Sequence, residues 1–415
     1  MGRFLAWLRG IVGAALIALG FLVAADFARA QPFTELGTGA WSWFGGPRAV
    51  SDGDKVFTGW ITNTGTVVVA EVNLSSGAHV VTPIHFSMVA DDHSNPSLHL
   101  RPDGHVAAFY SPHSGRRREP QFMAYRVSTA PHSVAAFGPE SHVTTNAPGR
   151  LGWTYPTILS AGGQTWLFWR GGSWQPTYST TRDYANWSPA RVLLHGPPGH
   201  RPYAKYEARG ATISMAFTEA HPGSRDTSLY YARMEDGWLR RADGRRVARL
   251  GSDPSFRRFE VIYRRRSPGR AWVHDVAMDA QGRPVVLYAV ILSARDHRYR
   301  YAAWDGGRWR DRELATAGPA LSGNPTYSAG AALDYADPSI AYLSRFDVSG
   351  GRYELERWEK RGGWRRRPVT GGSSRDNLRP VVPRGLPPLR AVLWLQGFYA
   401  SYRDLASLRV RMSIK

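Results

Sequence analysis

Short β-rich segments recur along this chain, each entered from a turn, and that recurrence limits the fold more than any other feature. The segments are Lys55–Trp60, His105–Tyr110, Thr165–Arg170, Thr212–Phe217, Pro284–Tyr288, Pro338–Leu343 and Arg390–Leu395. Their starts lie 50, 60, 47, 72, 54 and 52 residues apart, a mean of about 56. Glycine-rich turns precede most of them: Asp52-Gly53-Asp54, Asp103-Gly104, Gly162-Gly163, Arg209-Gly210 and Gln281-Gly282, where glycine accepts the positive φ of a tight hairpin. Asp236-Gly237-Trp238, Gly307-Arg308-Trp309 and Gly363-Trp364 mark further, outer strands. A strand-built period of about 40–60 residues fits propeller blades rather than a helical solenoid. The 385 residues after position 30 divide by this period into about seven units. No low-complexity linker interrupts them. The expectation is an all-β chain, one seven-bladed β-propeller over 31–415, with six or eight blades as the near alternatives.

Composition removes the rival classes. A hydrophobic share of 43% is too high for a disordered chain. The absence of cysteine excludes a disulfide scaffold, a thiolate zinc site and a cysteine nucleophile. The formal net charge is +20, and only four of the 53 basic residues are lysine. Arginine's planar fork grips carboxylate, sulfate or phosphate in two places. Such an excess is either solvated surface or the mark of a polyanionic partner, nucleic acid or acidic polysaccharide.

The first thirty residues choose between these partners. Arg3 and Arg9 lead into a mostly apolar run from Gly10 to Ala25, followed by Ala28-Arg29-Ala30. That is the order of a cleaved secretory signal, with a run short for a membrane span. Residues 1–30 are therefore expected to be a signal peptide and the mature protein to be secreted or periplasmic. It would be a monomer with no membrane span after cleavage. Nucleic acid is excluded as a partner and an acidic polysaccharide is expected.

Hairpin arithmetic gathers the polar side chains. Residues equally far before and after a turn meet at the open end of the hairpin. The turn at Asp103-Gly104 sets His93 opposite His113, and that at Gly162-Gly163 sets Tyr155 opposite Arg170. The turn at Arg209-Gly210 sets Tyr203 opposite Phe217, with His221 just beyond, and that at Gln281-Gly282 sets His274 near Tyr288. Equivalent blade ends share one face of a propeller. The residues from Asp91-Asp92-His93 through Arg201 and Tyr203 to His221 are then expected around one cleft.

A cleft of His, Tyr and Arg suits β-elimination on a uronic acid. Arginine neutralises the carboxylate and acidifies the α-proton, one His or Tyr removes it, and another protonates the leaving oxygen. Glycoside hydrolysis needs two carboxylates at a defined spacing. Asp91 and Asp92 are adjacent, and on a strand they would point to opposite faces.

Longer stretches carry a resemblance. Asp91-Asp92-His93-Ser94-Asn95-Pro96, Arg101-Pro102-Asp103-Gly104 and Tyr110-Ser111-Pro112-His113 resemble the BNR-repeat-containing family, which includes propeller-type ulvan lyases and is similar to rhamnose–glucuronate lyases. So do Thr154-Tyr155-Pro156, Phe168-Trp169-Arg170-Gly171, Arg201-Pro202-Tyr203-Ala204-Lys205-Tyr206, Phe217 through His221-Pro222, His297-Arg298-Tyr299-Arg300-Tyr301 and Asn377-Leu378-Arg379-Pro380. The resemblance implies His93 and His113 as the two histidines of a lyase, Tyr155 as its catalytic tyrosine and Arg170 as the group that neutralises the carboxylate. It implies Arg201, Tyr203, Tyr206 and His221 as substrate-binding residues. A structural divalent metal, calcium or zinc, occurs in some relatives, and His221 is the one weak ligand candidate beyond the Asp91-Asp92-His93 segment. Thr181 through Trp187 looks like a degenerate Asp-box, the turn of sialidase-type propellers. It stands alone, and no Phe-Arg-Ile-Pro segment accompanies it near the mature N-terminus. The expected activity is a polysaccharide lyase on a uronate-containing, rhamnose-rich glycan. The alternatives are a non-catalytic glycan-binding propeller and, behind it, a sialidase-like hydrolase.

Overall fold

The computed structural model describes residues 33–113, 121–149, 152–266, 268–321 and 323–415. The expected signal peptide, residues 1–30, lies outside them. Seven antiparallel sheets follow one another along the chain and close into a ring, a β-propeller. Blades one to six run over 49–85, 97–142, 154–192, 203–263, 270–318 and 331–368. Blade seven combines 376–414 with the first strand, Phe33–Thr38. The helical content of the described residues is three short 3-10 turns, and no helix there is long and apolar enough to cross a membrane.

Every recurrent segment becomes the second strand of its blade, which is flanked on both sides within its own sheet. Such a strand is covered on both faces by neighbouring blades, so its residues are buried in succession, as along Val106–Tyr110. The Gly-Trp signals open outer strands at Trp238, Trp309 and Trp364. The long 72-residue interval has a local cause: blade four is six-stranded, with Arg246–Arg249 and Glu260–Tyr263 added to the usual four.

The ring closes by pairing its two ends. Phe33–Thr38 runs antiparallel to Arg409–Ile414 as the outer strand of blade seven. The chain then crosses to blade one over the buried ring of Trp60, whose indole N–H donates to the Thr38 carbonyl at 3.1 Å. Gly39 makes this crossing possible. Its φ is +141°, and a Cβ there would stand 2.2 Å from the Ile61 carbonyl oxygen.

Next comes a strap, Trp41–Arg48, that spans the axis before blade one begins. Its Trp41 indole donates to the Arg379 carbonyl in blade seven at 3.1 Å. Gly46 donates to Pro156 of blade three and accepts from Ile158, both at 2.9 Å, while Leu98 of blade two donates to Pro47 at 2.7 Å. Phe44 packs on Tyr155, Tyr203 and Trp272 of blades three, four and five. The strap thus forms a common floor against which inner strands of several blades are set.

Trp60→Ala removes the surface on which the two chain ends cross. The expected loss is about 3–5 kcal/mol, the range for truncating a buried tryptophan. Calorimetry should show a clearly lowered Tm, and an unchanged Tm would mean that this crossing does not hold the ring.

Candidate functional site

Asp91 and Asp92 sit on a turn, not a strand. Asp91 caps the 3-10 turn Asp92–Ser94, and its carboxylate accepts from the His93 backbone N–H at 3.0 Å. The same Oδ1 accepts from His93 Nδ1 at 2.6 Å, and the other oxygen, Oδ2, accepts from His113 Nδ1 at 2.9 Å. One carboxylate therefore orients two imidazoles, which stack with centroids 3.7 Å apart and planes 6° from parallel. Tyr402 closes edge-on against both rings, at 5.1 and 5.6 Å.

Asp92 turns the other way. Its Oδ2 accepts from Arg379 at 2.7 Å and from the Tyr399 hydroxyl at 3.0 Å, while Oδ1 lies 3.0 Å from His93 Nδ1. The Arg379 guanidinium is 2% exposed in its side chain and lies between Trp43 at 3.7 Å and Tyr399 at 4.1 Å. Desolvation weighs against ionising these buried groups, but their opposite charges win: Asp91 stays well below the usual carboxylate range and Asp92 is lowered as well.

The two histidines end in different charge states. Burial works against a proton on His93, but the Asp91 charge, with hydrogen bonds to both carboxylates, lifts it to about 9. His113 falls to about 4, through burial first and then the charge of His93 stacked on it. At neutral pH His93 is an imidazolium. His113 is neutral, gives its Nδ1 proton to Asp91 and leaves Nε2 as an acceptor.

Blade three adds Tyr155 and Arg170. Thr154 pairs with Arg170, and a bulge between Thr154 and Thr157 turns Tyr155 out of the ladder at φ +64°. The hairpin expectation for this pair is met to within that one residue. The Tyr155 ring lies 5.1 Å from that of His93 on one side and 4.7 Å from the Arg170 guanidinium on the other. Arg170 is 5% exposed, makes no ion pair with a carboxylate among the described residues, and donates to the Tyr203 hydroxyl at 3.3 Å. In blade four Tyr203 pairs with Thr218, one position from the expected Phe217. His221 meets Tyr203 at 5.5 Å and Trp272 at 4.8 Å.

Tyr155 and Tyr203, with ring centroids 6.1 Å apart, titrate as a pair. Burial opposes ionisation of Tyr203, yet the Arg170 and Arg201 charges outweigh it and lower its pKa below the ordinary tyrosine value. Burial, and then the negative charge of an ionised Tyr203, holds Tyr155 well above that value. Of the two, Tyr203 gives up its proton the more easily.

His93, His113, Tyr155, Arg170, Tyr203 and His221 are thus brought together at one mouth of the axis, with Arg201 at its exposed rim. Tyr206 is not. Three residues farther along the inner strand, it stacks on Phe168 at 4.2 Å, and its carbonyl accepts from Arg384 at 3.1 Å. His274 likewise lies deeper in the ring and does not reach the cleft. Sequence reasoning passed over the residues that hold the histidines: Arg379, Tyr399 and Tyr402, together with the strap residues Trp43 and Phe44. Arg379 stands inside a quoted motif, but its partner is 287 residues away and no spacing rule finds it.

Residues 55–317, more than half of the chain, match the model of a family described as BNR repeat-containing. The chain belongs to that family. The BNR-repeat fold is shared with solved structures at low identity. An ulvan lyase described as a new polysaccharide lyase family, solved bound to a glucuronate–sulfated rhamnose unit, is 13% identical. It matches with a TM-score of 0.68 over 91% of this chain and 95% of its own. The polysaccharide lyase Uly1 is 13% identical with a TM-score of 0.58, over 93% and 94% of the two chains. The BP39L lectin from Burkholderia pseudomallei is 13% identical with a TM-score of 0.53, over 89% and 96%. No curated protein matches the chain in sequence.

Asp91, His93 and His113 place three donor atoms within 4.8 Å of one another, a carboxylate–imidazole set that a divalent ion accepts. As arranged here those atoms serve each other, and an ion would have to replace the protons they share. The structure singles out neither calcium nor zinc.

Two outcomes follow from this geometry. In nitrogen-15 histidine spectra one ring should titrate near 9 and another near 4, and Asp91→Asn should move the first down toward its ordinary value of 6.5. A His93 that titrates normally in the wild type would overturn the arrangement. Arg379→Met leaves the Asp92 charge buried without its partner and should cost about 3–5 kcal/mol. Asp92→Asn in the same chain should recover part of that loss.

Proposed function

We propose that the protein is a polysaccharide lyase that cleaves a uronate-containing acidic glycan by β-elimination, exported through its N-terminal segment to the periplasm or beyond. One observation carries this reading: Arg170, a buried cation with no carboxylate partner among the described residues, lies beside the Tyr155–Tyr203 pair, and the His93 imidazolium lies against the same Tyr155 ring. The partner of Arg170 here is the Tyr203 hydroxyl, and a ligand carboxylate would add the full negative charge that a second donor arm of Arg170 can take.

In this reading Arg170 receives the uronate carboxylate, and the His93 imidazolium adds its positive field from across the Tyr155 ring. Spreading its charge lowers the pKa of the α-proton. The ionised member of the Tyr155–Tyr203 pair takes that proton. The C–H electron pair becomes the new carbon–carbon double bond and the glycosidic C–O bond breaks. The departing oxygen receives a proton from the other tyrosine, so one coupled pair serves as base and acid. His113 fixes Asp91 and through it the orientation of His93. Arg201 and His221 contact the sugar beside the uronate. The ulvan lyases of this fold support the finer choice of a glycan in which rhamnose neighbours the uronate. Hydrolysis receives no support: Asp91 and Asp92 are both committed to cations.

The assay is the ultraviolet absorbance of an unsaturated uronate after incubation with acidic polysaccharides, ulvan and glucuronate-bearing exopolysaccharides included. Product should form, and Tyr155→Phe should slow it by about 10²–10⁴-fold, the range for losing an acid–base group. Arg170→Met and His93→Ala should abolish it in folded protein. The wild-type rate should fall as the pH rises through about 9, where His93 loses its charge. Saturable glycan binding without product would favour the glycan-binding alternative.

A further inference from the structure

Beneath the strap, two or three residues deeper along the inner strands than the cleft, the axis holds a cavity with room of about 50 Å³. That is room for a few waters or one small ion. Its walls carry Arg48, Lys205, His274, Asp275, Tyr335 and Arg384. These charges do not cancel. Arg384 is matched by Glu207, at 2.6 Å from Nε and 2.5 Å from Nη2. Asp275 is held by Tyr335 at 3.0 Å and by the backbone N–H groups of Val276 and Leu333, both at 3.0 Å. Arg48 is 6% exposed and, among the described residues, reaches only the carbonyls of Gly45 and Phe44, at 2.7 and 3.4 Å, with its Nε unpartnered. Lys205 makes no hydrogen bond or ion pair among the described residues and rests its ammonium 5.6 Å from the Phe44 ring. His274 is 5% exposed, and neither ring nitrogen has a partner.

Two cations, one carboxylate and an idle imidazole leave one positive charge in excess and several unspent donors. A buried polar group without a partner is costly, and a buried uncompensated charge more so. We propose that this cavity binds a small monovalent anion, chloride or a short carboxylate, held by Lys205, the Arg48 guanidinium and the His274 ring. A divalent oxyanion would reverse the imbalance rather than remove it. Without a counter-ion, Lys205 loses its proton easily: burial, and then the Arg48 charge, lower it to about 7. The site is independent of the lyase reading, since it shares no side chain with the proposed chemistry. It does share the strap, whose other side carries Phe44 into the cleft.

Crystals of the full chain soaked in bromide provide the direct test. An anomalous peak is expected between Lys205, Arg48 and His274, and a cavity holding no such peak would overturn the proposal. In solution, melting is followed at fixed ionic strength while chloride replaces gluconate, which is too large for the cavity. The wild-type Tm should climb with the logarithm of chloride concentration once the site fills, and Lys205→Met should lose that climb. An equal climb in K205M would overturn the proposal. If K205M fails to fold, the bromide experiment on the wild type decides alone.

Discussion

The buried pair of Arg379 and Asp92 is the joint on which the molecule turns. It connects blade seven to the turn that opens blade two, and Arg379 is held on its faces by Trp43 of the strap and Tyr399 of blade seven. Such a pair returns little net stability, because desolvation offsets most of the attraction. Its value lies in position. With Asp92 spent on Arg379, Asp91 is free to face the other way and hold His93 and His113. The backbone accommodates this: Arg379 itself sits at φ +50°, a conformation that packing on both sides must enforce.

From that joint follows the electrostatics of the cleft. Two carboxylates lie beneath His93 and, among the described residues, none pairs with Arg170. The floor is aromatic, made by Trp43, Phe44, Trp272 and Tyr327, so little water screens what charge remains. A cation pair with one tyrosine between them is unstable alone and well suited to a ligand of opposite sign. The same logic repeats below the strap, where Arg48 and Lys205 face each other's field with one carboxylate between them and the rest of the ring.

Much of the fold was legible because it is repetitive and local. A strand buried on both faces must be apolar, and a hairpin turn must carry residues that tolerate positive φ, so each blade announces itself around its second strand. The irregular blade was legible only as an interval too long, since the extra strand Glu260–Tyr263 has no period to betray it. At the site, the hairpin rule found partners such as Tyr155 and Arg170 because both lie within one turn's reach. It erred by one residue at Tyr203, where the true partner is Thr218, and a bulge intervenes at Tyr155. Tyr206 entered the expectation through the family resemblance, which gave no depth, and it lies farther down the ring. Contacts between the strap and a blade, such as Trp41 with Arg379, leave no trace in spacing at all.

The way the ring is fastened has a consequence in time. Phe33–Thr38 is the first described segment of the chain, and among the described residues its ladder partner is Arg409–Ile414, at the far end. Until that end exists, the first strand can pair with nothing, and blade one has no neighbour across the gap. Joining segments so distant carries a large loop-closure cost, and topologies built on such contacts form slowly. The blades can assemble in order as the chain lengthens, each resting on the one before. The circle itself forms last, so the strap, Arg379 and the two-histidine cluster they support reach their final places only when the chain is whole.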